Sequence, residues 1–145
     1  MTMTTKAPRP AAYAEGYGEL VRAYRLYIGV SQRTMAARIG IAEKSLSDIE
    51  LGRRQCPPGF IDTVEKVVEE FTREVKEIID EVSETVRNSA DALDNSYTPV
   101  PTSAKVTDNP RDEWRRAVVG RAAVESGLIM PILVGNVRPR ERARR

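Results

Sequence analysis

"YRLYIGVSQRTMAARIGIAEKSLSDIELGRR", Tyr24 to Arg54, is the stretch on which the fold turns. Three glycines, Gly29, Gly40 and Gly52, cut it into short pieces, and each piece carries apolar side chains at spacings of three and four. That spacing is helical, and a glycine just past a periodic run is the usual helix stop. Upstream, Leu20, Val21, Tyr24, Tyr27 and Ile28 extend the first piece back to about Glu15. Ser31 suits the N-cap of a second helix running through Met35, Ala36 and Ile39 to Gly40. The restart at Ala42 leaves room only for a tight turn, and a third helix sends Leu46 and Ile49 inward before Gly52.

Two short helices joined by a tight turn, with a third clamping them, meet the requirements of a helix-turn-helix. Ala36 and Ala37 supply small side chains where helices touch, Gly40 the turn, and Ile41, Leu46 and Ile49 the apolar clamp. The stretch resembles the Cro/C1-type (XRE-like) helix-turn-helix family of phage and bacterial repressors. It has the Ser-Gln start, the alanine that follows, Gly-apolar before the third helix and the closing Ile-Glu-x-Gly-basic. Gln32, Ala36, Gly40, Ile41, Leu46, Ile49, Glu50 and Gly52 fit that pattern, over roughly a third of the chain.

The resemblance implies sequence-specific binding of double-stranded DNA, with the third helix in the major groove. By position it implies that Gln32 contacts the DNA backbone, with Arg33 beside it. Glu43, Lys44, Ser45, Ser47 and Asp48 become candidate base readers, and Arg53 and Arg54 phosphate contacts. Glu43 and Asp48 depart from the neutral or basic groups usual at such positions. A carboxylate accepts a hydrogen bond from cytosine N4 but repels phosphate, so Arg33, Arg38 and Lys44 must offset it.

Beyond Pro57, Pro58 and Gly59, no proline or glycine interrupts the chain from Phe60 to Leu93, which permits one long helix. Ile61, Val64, Val68, Phe71, Val75, Ile78 and Val82 recur there at alternating three and four. Such a heptad stripe is a candidate coiled-coil seam joining a homodimer. It also serves a helix that packs within its own chain. After Val82 it slips to Val86, Ala90 and Leu93. Residues 95–109 turn to Ser, Thr, Pro and Asn and read as a linker. Asp108-Asn109-Pro110 starts another helix through Trp114, Val118, Ala122 and Glu125 to Gly127, and Leu128 to Val134 reads as a strand or extended packing segment. "EWRRAVVGRAAVESGLIMPIL" resembles the C-terminal part of small regulators from actinobacteria and their phages, which implies a role such as phage immunity or lysogeny control.

The expected architecture is all-α: a flexible arm (1–14), the helix-turn-helix domain (15–58), a long acidic helix (59–94), a linker (95–109), a C-terminal helix with a short extended segment (110–136) and a basic tail (137–145). Charge follows this division. Residues 1–58 carry nine cations against five carboxylates, residues 59–98 four against eleven, and residues 99–145 ten against five. The C-terminal arginines could add phosphate contacts, and the acidic helix could take a basic protein partner, as in an antitoxin or antirepressor.

Composition narrows the chemistry. With no histidine and one cysteine, Cys56, the 145 residues cannot hold a histidine-based triad or metal site, an intrachain disulfide or a thiolate cage. No phosphate-cradling glycine loop or nucleophile–base pair is visible, so a non-enzymatic protein without metal or cofactor is expected. No apolar run nears the ~20 residues of a membrane span. Met1 to Pro10 lacks the apolar core of a secretory signal, so the expected location is the cytoplasm, at the nucleoid.

Overall fold

The computed structural model describes residues 16–89 and 98–135. Expectations for the arm (1–14), for residues 90–97 and for the tail (137–145) lie outside them. The chain forms two compact units, 1–68 and 69–145.

The first unit holds α1 (Tyr17–Ile28), α2 (Gln32–Ile39), α3 (Glu43–Glu50) and the opening turns of α4 (Phe60–Arg87). Ser31 caps α2 as expected, its hydroxyl accepting from the Thr34 N–H at 3.2 Å. Gly40 closes α2 at φ 93°, a left-handed conformation that a side chain would strain, and its N–H returns to the Ala36 carbonyl at 2.8 Å. α3 packs on both α1 and α2, and Val21, Ile28, Met35, Leu46, Ile49 and Val64 fill the core between the helices. Ala36 is buried as a contact residue should be, whereas Ala37 is exposed: three and four residues separate neighbours on one helix face, and adjacent alanines point apart. Tyr27 also lies outside, while Leu20 and Tyr24 are half-buried.

The second unit corrects the all-α expectation. β1 (Val100–Lys105) lies inside the segment read as a linker, and it pairs in parallel with β2 (Ile129–Val134), in register from Val100 opposite Ile129 to Lys105 opposite Val134. α5 (Pro110–Ser126) makes the crossover and packs on both strands. The fold is therefore mainly α with a small βαβ unit. α5 starts as the sequence suggests, the Asn109 side chain accepting from the Arg111 N–H at 2.8 Å with Pro110 in the first turn, and Gly127 ends it.

α4 ends at Arg87, where Asn88 and Ser89 turn the chain and the Ser89 N–H and hydroxyl both reach back to the Val86 carbonyl. A serine that bonds its own backbone competes with helical continuation.

The stripe on α4 is buried by the chain itself. Ile61 and Val64 lie in the first unit's core, and Phe71, Val75, Ile78 and Val82 in the second's. Val68 is only half-buried, and Val67 takes the inward place beside it. Trp114 meets Phe71 edge to face at 5.2 Å and donates its indole N–H to Glu74 at 2.8 Å. These positions are already packed, which favours the intrachain reading of the stripe over a free seam.

Candidate nucleic-acid interface

Leu46 and Ile49 bury one side of α3, and Glu50 beside them is a charged side chain drawn into the same core. A buried carboxylate needs charge and hydrogen bonds to replace water. Arg25 of α1 supplies both, donating Nε to Glu50 Oε2 at 2.8 Å and Nη2 to Oε1 at 2.9 Å. Gln32 at the start of α2 adds its amide N–H to Oε1 at 3.0 Å. Arg25 further donates to the Val30 carbonyl at 3.0 Å, fixing the turn before α2. The hydrogen bond to Glu50 holds the Arg25 pKa above the ordinary guanidinium value, outweighing burial, which lowers it. One carboxylate thus ties all three helices together and sets the angle at which α3 is presented.

Gly18 contributes from the other side. A Cβ there would run into the backbone carbonyl of Ile49, so glycine is what lets α1 lie against α3. Neither Arg25 nor Gly18 was singled out from the sequence. The available signal for Arg25 was Glu50, an acidic residue adjoining Ile49 on a helix whose other inward positions are apolar.

The opposite side of α3 faces solvent. Glu43 and Lys44 are exposed, and Ser45, Ser47 and Asp48 are half-buried. Lys44 Nζ lies 3.4 Å from Asp48 Oδ2, with the lysine side chain 82% exposed and the aspartate 22%. Arg53 and Arg54 follow α3 in an exposed loop. Arg53 Nη1 lies 3.8 Å from Asp48 Oδ1, and Arg54 Nη1 donates to Ser45 Oγ at 2.9 Å. Arg33 is exposed in the first turn of α2. Gln32 is half-buried with its amide N–H committed to Glu50, which leaves its backbone N–H, in the unpaired first turn, as the group nearest to a backbone role.

The surface so formed joins Lys44, Arg53 and Arg54 on one exposed face, with Asp48 between the first two. Cys56 lies just beyond it, half-buried, and burial pushes its thiol pKa up. Among the described residues no cluster of Cys, Asp and Glu could hold a metal ion, and no helix is long and apolar enough to cross a membrane.

Residues 17–67 match the family model described as a helix-turn-helix domain. The match runs from the first residue of α1 into the opening turns of α4. Comparison with curated proteins and with solved structures gives no match. From Tyr17 to Val67, the chain carries a helix-turn-helix domain.

Proposed function

We propose that the protein binds double-stranded DNA selectively through α3 and acts as a transcriptional regulator, with promoter occlusion as its simplest mechanism. The observation that carries this is the two-sided character of α3: one side locked by Leu46, Ile49 and Glu50, the other exposing Lys44 and the loop arginines, with Ser47 half-buried beside them. A reading helix has to be held rigidly from behind and polar in front. Arg53 and Arg54 follow Gly52, where the chain leaves α3, in an exposed loop, and in this reading they meet phosphate. Lys44, exposed in the N-terminal half of α3, would reach base edges, with Glu43 and Ser47 alongside. Arg33 and the first amides of α2 would hold the adjacent backbone.

One small reading helix touches few base pairs, so two copies on adjacent half-sites belong to the same proposal. With the α4 stripe packed inside the chain, pairing would use other surfaces. The mass of the protein–DNA complex by ultracentrifugation tests that part.

Arg53→Ala with Arg54→Ala tests the reading. The double variant is expected to weaken binding to all duplexes alike and to reduce the slope of log affinity against log salt by about one to two units. An unchanged slope would remove the exit loop from the interface.

A further inference from the structure

We infer that Asp48 is a positioning residue that raises DNA selectivity by restraining Lys44 and Arg53, rather than a residue that reads a base itself. The inference rests on the DNA-binding reading of α3.

The two carboxylate oxygens of Asp48 face different cations, Oδ2 toward Lys44 Nζ at 3.4 Å and Oδ1 toward Arg53 Nη1 at 3.8 Å. Its backbone carbonyl accepts from the Arg53 N–H at 2.8 Å and the Arg54 N–H at 3.2 Å, so the same residue fixes how the chain leaves α3. Ser45, one turn earlier, holds the Arg54 guanidinium at 2.9 Å. Three cations of the exposed face are therefore laid along α3 by groups of α3 itself. Asp48 is the least exposed of its trio, at 22% against 82% for Lys44 and 68% for Arg53.

A carboxylate that accepts from cytosine N4 has to turn an oxygen outward into the groove. Here both oxygens are turned to cations of the same chain. Neither pair contributes much to folding, since both cations are well exposed and such contacts are weak. The order Lys44 then Asp48 also runs against the helix dipole. What the arrangement changes is the competition for DNA. A phosphate on any sequence must displace Asp48 from Lys44 and Arg53 and tolerate its negative charge, which lowers indiscriminate affinity. A base acceptor that lies where Lys44 is already aimed avoids the cost of orienting that long side chain. Selectivity is the difference between those two affinities, and Asp48 acts on both terms.

The test uses the full chain, a duplex recovered by the wild-type protein from a randomised library, and bulk random duplex. Asp48→Asn is expected to bind random duplex more tightly, with a salt slope steeper by about one unit. The ratio of selected to random affinity is expected to fall about tenfold, the size of one oriented base contact. Asp48→Glu, which keeps the charge on a longer arm, is expected to keep the weak random binding of the wild type. Equal thermal unfolding midpoints for the three proteins establish that the comparison reports the interface. An unchanged ratio in Asp48→Asn overturns the inference while leaving the DNA reading intact, and so does a loss confined to one cytosine position, which would make Asp48 a reader. A wild-type protein that enriches no duplex defeats the DNA reading itself, and the inference with it.

Discussion

Glu50 shows how a single buried charge can hold three helices in a fixed arrangement. Its side chain is 2% exposed and gathers Arg25 and Gln32, so α1, α2 and α3 share one anchor. Removing a partner leaves the carboxylate uncompensated. Arg25→Ala is accordingly expected to cost about 3–5 kcal/mol of stability in urea unfolding, whereas Arg25→Met with Glu50→Leu together should recover much of that loss. If Arg25→Ala unfolds at the wild-type urea midpoint, the triad is not what holds α3. Gly18→Ala tests the same contact from the other side, with an expected loss of about 2 kcal/mol as α1 is pushed off the Ile49 carbonyl. At Cys56 the sign follows from the raised thiol pKa. Thiolate forms less readily in the folded protein than in the unfolded chain. Labelling by iodoacetamide should therefore run slower than in urea at neutral pH, and the stability tied to this group is present below the unfolded thiol pKa and lost as pH climbs through the raised value. Equal labelling rates in the folded and unfolded protein would contradict the burial seen here.

Among the elements, α4 separates two readings of one stripe. The sequence pattern from Ile61 to Val82 allowed a seam between chains, and the structure packs most of those residues within the chain, Phe71 against Trp114. Trp114 is the protein's one tryptophan and is 3% exposed, so its emission reports this contact alone. Phe71→Glu with Val75→Glu is expected to shift that emission to the red and to abolish the second unit's unfolding transition. A variant that keeps buried-tryptophan emission while losing mass in sedimentation would restore the seam. Legibility in the sequence divides along similar lines. α1, α2, α3 and the start of α5 could be read because their signals are local: Ser31, Asn109 and Pro110 at starts, Gly29, Gly40 and Gly127 at ends. β1 could not, because its partner β2 follows only after the whole of α5, and each strand carries a proline. Val100 and Val106 donate to the carbonyls of Leu128 and Val134, so the ladder uses even-numbered residues of both strands. Pro101 and Pro131 therefore have their missing donors on the open edges, where proline is tolerated. The exposed polar face of α3 was legible by position. Its links through Asp48, Arg25 and Gly18 depend on tertiary packing that spacing does not reveal.

At the scale of the whole molecule, charge and architecture divide the labour. The basic residues of the first unit include those on the exposed side of α3 and its exit loop, while the carboxylates of α4 are partly spent within the chain, Glu65 on the Tyr24 hydroxyl at 2.7 Å and Glu74 on Trp114. Lys76 with Asp80 and Arg87 with Glu84 pair along the helix surface. The central claim is that α3, held by Glu50 and exposed through Lys44, reads duplex DNA. Selection of a randomised duplex library by the full-length protein, with sequencing of the bound fraction, tests it most directly. The account predicts a short enriched motif, and with Lys44→Ala a loss of preference at one or two positions of it, worth about 1–3 kcal/mol. A bound fraction with the composition of the starting library, or an enriched motif that Lys44→Ala leaves unchanged at every position, would contradict it.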